Sequence, residues 1–387
     1  MNRKQFIILL VLVVVVGVAG LWVRQHGSES WHGGGKSIGG KLLPDLAVND
    51  IAQIIIKSGT ADVTLARKDN LWRVRERAGY PANFSQISAM LLKLGDIKIA
   101  QTEEIGPSQL GRFELLPPGN GTNTATQIEF MDQNGKVMKS ILLGKKHMAR
   151  PSANSQFGGM DDAGWPDGRF VMTEAGSRTV EVVADPLDDA QPKPEGWLNK
   201  DFVKIEKPLS ISVQFADATN SWKLFRNSET NEWQLANAGT NEVLDTSKIS
   251  SVTSPFNYAS FNDVTVAGKE SEASTNEAVV TVATADGFDY VISIGQKQNE
   301  VYPVRFAITA QLAAERVPGK DEKADEKAKL DKAFKDVQTK LKEKLDREQA
   351  FTNWIYQIPT YTVDSLLKHR KDLLEEPKKE ADAKSSN

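Results

Sequence analysis

From residue 6 to residue 23 the chain is apolar and uncharged without a break, a pattern it does not repeat at that length. As a helix, these 18 residues would rise about 27 Å, close to the thickness of bilayer hydrocarbon. Arg3 and Lys4 precede the run, Arg24 follows it, and Trp22 lies at the boundary. The basic excess on the short N-terminal side puts that end in the cytoplasm and the body across the membrane. The expectation is a single-pass anchor over residues 1–24, carried by Phe6, Leu10, Val14, Leu21 and Trp22. A cleaved signal peptide is the competing reading, because Gly17-Val18-Ala19 follows a shorter apolar core over residues 6–16. The apolar run continues past that point to Val23, which favours the anchor. Residues 25–40 are rich in Gly and Ser and read as a flexible linker.

Beyond the linker the period changes to two. Residues 54–57, 62–66 and 71–74 alternate apolar with polar, as half-buried antiparallel strands do. Tyr80-Pro81 opens a turn, and Ile87, Met90, Leu91 and Leu94 then recur at helical spacing up to Gly95. The same order returns later. Residues 209–215, 222–225 and 232–235 alternate, and Leu244-Asp245-Thr246-Ser247 opens a short helical stretch. Ser85-Gln86-Ile87-Ser88 lies over Ser247-Lys248-Ile249-Ser250, and Trp72 lies over Trp233. Residues 126–144 lie over 279–295, with hairpin dipeptides at Asn134-Gly135 and Asp286-Gly287. Arg169-Phe170 corresponds to Arg305-Phe306. The reading is α+β: an N-terminal transmembrane helix, then two similar antiparallel-sheet-plus-helix domains. The first spans residues 41–185, a Pro-rich link 186–196, and the second 197–374. Residues 375–387 are charged, poor in apolar residues, and read as a disordered tail.

The second copy carries a long charged insertion over residues 311–350. Residues 320–348 hold 10 basic and 9 acidic side chains. Through them Leu330, Phe334, Val337, Leu341 and Leu345 form one narrow apolar stripe at helical spacing. That stripe either packs on its own domain or belongs to a protruding helix, or a helical hairpin bent at Pro318-Gly319, that docks a partner.

Composition mainly excludes. The net charge is −3, which does not argue for nucleic acid. With no Cys there is no disulfide, thiolate metal site or Cys nucleophile. Gly35-Lys36-Ser37 lacks the earlier Gly and the strand of a phosphate loop. His26 and His32 lie in the linker and His369 near the tail, leaving His147 in the folded region with no indicated triad partner. Asp161, Asp162 and Asp167 do not fit an EF-hand spacing. Glu103-Glu104 and Asp188-Asp189 read as solvated turns. No metal or cofactor is expected, and the chain reads as a non-enzyme. Trp72, Trp222 and Trp233 read as core, while Trp165 and Trp197, beside Pro and Gly, are candidates for a ligand surface.

Leu42-Leu43-Pro44-Asp45-Leu46, Trp72-Arg73-Val74, Tyr80-Pro81-Ala82, the helix over 87–94, Leu142-Leu143-Gly144-Lys145 and Arg169-Phe170-Val171 together resemble the bacterial domain-of-unknown-function family 4340. The resemblance covers most of residues 41–185 and more loosely the second copy. It implies an inner-membrane anchor, a periplasmic body, and association with ABC-type export systems that carry a gliding-motility-type auxiliary subunit. It transfers no catalytic residue. The expected function is a non-catalytic, membrane-anchored accessory protein. Its partners would be the lipid bilayer and a membrane protein such as an ABC-type permease or auxiliary subunit. The alternative is a ligand-binding module for an envelope polymer or lipid-linked substrate, held in a groove between the two copies.

Overall fold

A computed structural model describes residues 38–119, 121–149, 165–173, 177–256, 259–266, 276–319 and 322–376. The expected anchor, with Phe6, Leu10, Val14, Leu21 and Trp22, lies outside the described residues, as do most of the linker and the tail. Among the described residues no helix is long and apolar enough to cross a membrane. The fold is α+β, mostly antiparallel sheet with a few helices. The chain forms two compact units, one of Met1–Arg73 with Phe84–Pro194, the other of Val74–Asn83 with Glu195–Asn387.

The strands of the first half are β1 (Gln53–Lys57), β2 (Asp62–Lys68), β3 (Leu71–Val74), β4 (Tyr80–Pro81), β5 (Ile99–Glu104), β6 (Thr126–Met131), β7 (Val137–Met148), β8 (Pro166–Met172) and β9 (Thr179–Val183). In the first unit the order across the sheet is β3-β2-β1-β6-β7-β8-β9-β5. Ile54 and Ile56 of β1, and Ile128 and Phe130 of β6, point to one buried face while their neighbours stay partly exposed. The helix α1 (Phe84–Asp96) supplies Ile87, Met90, Leu91 and Leu94 to the core. It runs one residue past Gly95. Leu142, Phe170, Met172, Val180 and Val182 form a second cluster with Phe113 and Leu115, so the β7–β9 region is buried on both faces.

The second unit is built from β10 (Pro208–Phe215), β11 (Trp222–Phe225), β12 (Gln234–Leu235), α2 (Thr246–Ile249), β13 (Asp263–Val266), β14 (Asn276–Thr284), β15 (Phe288–Gly295), β16 (Val301–Ala310), α3 (Ala324–Gln349), β17 (Trp354–Pro359) and α4 (Thr360–Val363). Its order is β12-β11-β10-β14-β15-β16-β17-β13. Laid beside the first order, each strand has a counterpart in the same sequence position. In both units the strand after the first helix joins the far edge of the sheet. The hairpins β6–β7 and β14–β15 turn at Asn134-Gly135 and Asp286-Gly287, where each Gly has positive φ.

Residues 74–83 come from the first half of the sequence but fold with the second unit. Ala78 and Gly79 both adopt positive φ and make the tight turn this excursion needs. Arg77 donates from Nε and Nη2 to both oxygens of Asp263, at 2.5 and 2.6 Å. Tyr80 is buried edge-on among Phe261, Trp354 and Tyr356, with ring centroids 5.8, 5.1 and 6.3 Å away. Each such aromatic pair contributes about 0.5–1.5 kcal/mol beyond its buried area. The Asn83 N–H donates to the Trp197 carbonyl at 2.8 Å, and the Asn199 N–H to the Pro81 carbonyl at 2.9 Å. Burial raises the Tyr80 hydroxyl to about 12.

Candidate functional site

The charged insertion forms one helix, α3, and not a helical hairpin; Pro318-Gly319 lies before it. Asp325 and Glu326 in its first turn and Arg347 in its last suit the helix dipole. Arg316 ties the approach to the helix: it bonds Asp331 at 2.9 Å and forms a two-point pair with Glu322, whose carboxyl it lowers to about 2. Along the stripe, Phe334, Leu341 and Leu345 are half-buried, while Leu330 is 38% and Val337 52% exposed. The stripe is thus neither fully packed nor fully free.

The C-terminal end of α3 is pinned. Glu348, only 2% exposed, accepts from the Tyr290 hydroxyl at 2.7 Å and from the Lys204 N–H at 3.3 Å. One turn earlier, Lys344 Nζ donates to the Lys204 carbonyl and to Glu206, both at 2.9 Å, and lies 5.2 Å over the Phe288 ring. Burial raises the Glu348 carboxyl, while the Lys344 bond lowers that of Glu206. Burial, then the Glu348 charge, raises the Tyr290 hydroxyl.

Two clefts flank residues 201–206. One, about 290 Å³, is lined by that segment with Lys200, Phe256 and Ala259. The other, about 380 Å³, is lined by Asp201, Phe202, Lys204 and Glu206 with Lys344, Arg347, Glu348 and Phe351. Phe256 is buried at a φ of 56°, a strained conformation for a bulky side chain. Two carboxyls tuned in opposite directions beside one ammonium resemble an acid–base pair. Here both Glu348 oxygens already accept hydrogen bonds and almost none of the residue is exposed. The group holds α3 in place instead of meeting a substrate.

The two tryptophans separate. Trp165 is 63% exposed in the first unit. Trp197 is 0% exposed and a core residue of the second, so it offers no ring to a ligand surface. His147 does have a partner: Nδ1 lies 2.7 Å from Asp167 across the β7–β8 hairpin. Among the described residues no hydroxyl is bonded to its other nitrogen. Asp161 and Asp162 lie outside the described residues. Asp188 and Asp189 pair with Lys146 and Lys93, each at 2.7 Å on the surface. Trp233 is half-exposed beneath the Arg226 guanidinium at 4.6 Å, whereas Trp72 and Trp222 are core.

The model of a family described as a domain of unknown function, DUF4340, matches residues 72–278, just over half of the chain. The chain belongs to the DUF4340 family. No curated protein and no solved structure matches it. The DUF4340 match starts at Trp72, leaving out the motif at residues 42–46, and runs through the first part of the second unit, which the resemblance covered more loosely. It takes in residues 74–83 and 201–206, and ends well before α3.

The DUF4340 motif residues are structural where the geometry can be read. Arg169 is half-buried and donates to the carbonyls of Gly144, Pro186 and Leu187 at 2.8, 3.1 and 3.4 Å. Burial lowers its pKa. A Cβ on Gly144 would lie 2.3 Å from the Phe113 carbonyl oxygen. Tyr80 fills the aromatic cage.

Sequence reading missed the grouping of Glu348, Tyr290, Lys344 and Lys204, because their partners lie 58 and 144 residues apart. One signal was present. The stripe's next position, three residues beyond Leu345, holds a carboxylate.

Proposed function

We propose that this DUF4340 protein is a non-catalytic accessory component of a bacterial envelope assembly, acting through protein–protein contacts. Residues 1–24 anchor it in the inner membrane, N-terminus in the cytoplasm, and a sheet unit used twice forms the periplasmic body. The partner is a membrane protein of an ABC-type transport system, a permease or its auxiliary subunit. One observation carries this reading: α3 leaves Leu330 and Val337 accessible along its apolar stripe while Glu348 and Lys344 hold its last turns. A helix fixed at one end and apolar along one accessible face suits groove docking. The matching strand orders support the duplicated body. The ligand-binding alternative is weaker, because Trp197 has no exposed surface.

The test is photo-crosslinking in native membranes, with probes at Leu330, Val337 and Trp165. Adducts from the two helix positions to a transporter subunit are expected. Glycan or lipid adducts at Trp165, with none from the helix, would replace this reading with the ligand-binding one.

A further inference from the structure

Residues 201–206 form no helix, turn or strand, yet Phe202, Val203 and Ile205 bury their side chains. Lys204 uses both its main-chain groups, the N–H on Glu348 and the carbonyl on Lys344. Among the described residues, the N–H groups of Phe202, Val203 and Ile205 have no acceptor. Main-chain donors within buried sequence almost always find a partner in protein, water or ligand. Here the partner is water or a bound ligand, and the clefts on both sides provide access for either.

The larger cleft also has a charge preference. Lys344 is committed to Glu206, and Glu348 to Tyr290 and Lys204. Lys204 and Arg347 line the cleft and form no ion pair among the described residues. Asp201 accepts from the Asn199 side chain at 3.4 Å and keeps its charge, so the lining outside those pairs holds two cations against one carboxylate. Phe202 and Phe351 supply apolar lining. Free N–H groups, two uncommitted cations and aromatic lining suit one kind of occupant.

We propose that this cleft binds an extended acidic segment of a partner protein. Its main chain would hydrogen-bond along residues 201–206, its carboxylates would face Lys204 and Arg347, and alternate apolar side chains would meet Phe202 and Phe351. The site is separate from the α3 stripe and stands without the docking role proposed for that helix.

The test uses the full chain and a dye-labelled hexapeptide alternating Glu and Val, with a Lys/Val peptide as control. Fluorescence anisotropy is expected to give saturable binding of the acidic peptide, at least about tenfold tighter than the control. The double variant Lys204→Glu/Arg347→Glu should weaken it by about tenfold or more, the scale of one charge-assisted hydrogen bond. Both positions are exposed, and the variant's urea midpoint is compared with the parent's before binding is read. Hydrogen exchange at Phe202, Val203 and Ile205 should be fast alone and slowed by the peptide. Equal binding of the two peptides, or amides already protected without peptide, overturns the proposal. Val337→Asp should leave peptide binding unchanged; loss of binding there would move the site to the apolar stripe of α3 and also overturn it.

Discussion

The carboxylate of Glu348 and the hydroxyl of Tyr290 meet at 2.7 Å inside the second unit, joining the last turn of α3 to β15. Both groups are almost wholly buried, so each is the other's main substitute for water. Removing one leaves the other exposed to the full cost of desolvation. Tyr290→Phe is therefore expected to destabilise the second unit by about 1–3 kcal/mol. Urea unfolding of both single variants and the double would give their coupling energy.

The same carboxyl sets a pH dependence. Burial raises it above its ordinary value of 4.5, so the folded chain holds this proton more readily than the unfolded chain. Its stabilising effect is fully present below 4.5 and declines as pH rises through the raised folded value. Glu348→Gln should flatten that decline in denaturation midpoints measured upward from pH 4.5. Identical slopes in the two proteins would mean that Glu348 does not change protonation on folding.

Glu242 behaves in the opposite sense. Bonds from Arg370 and the Gly239 N–H lower its carboxyl from 4.5 to about 2. Its contribution is complete above 4.5 and disappears as pH falls towards about 2. Arg370→Ala should bring the Glu242 titration, followed by carbon-detected NMR, back towards 4.5. It should also make the turn at Arg370–Leu373 more susceptible to limited proteolysis.

Arg77 gives a third test. Its two-point bond to Asp263 cannot be reproduced by an ammonium. Arg77→Lys should lose about 1–2 kcal/mol and speed amide exchange in β13, and Arg77→Ala should do so more strongly. Exchange in β1 and β6, within the other unit, serves as the internal control.

Gly144→Ala places a methyl group against the Phe113 carbonyl and the Leu115 side chain. A cost of about 1–3 kcal/mol is expected, measured as a lowered unfolding midpoint. Unchanged stability would mean that β7 can shift away from residues 113–115.

Much of the architecture was legible because period-two alternation reports a half-buried strand wherever it occurs. Trp222-Lys223-Leu224-Phe225 reads as a strand from sequence and is one, as is Leu71-Trp72-Arg73-Val74. Ile87, Met90, Leu91 and Leu94 announce α1 by their spacing alone. Tyr80-Pro81-Ala82 was visible as a motif, but local pattern does not encode which core receives it. That depends on Phe261, Trp354 and Tyr356, far along the chain. Trp197 misled for a related reason: flanking Gly and Pro suggest a surface turn, whereas its carbonyl pairs with Asn83 and its ring is enclosed. The Lys204–Glu348 contact joins positions with no common motif, so only the folded chain reveals it.

The destination of residues 74–83 also has a consequence in time. A ribosome makes Arg77 and Tyr80 early, but their partners Asp263 and Trp354 come much later. At ordinary elongation rates the delay is on the order of tens of seconds. For that interval this stretch has sequence but no destination, and the newborn chain must carry it unburied past the completion of its own neighbours. A ribosome stalled near residue 194 would leave a product that holds the key but lacks the lock.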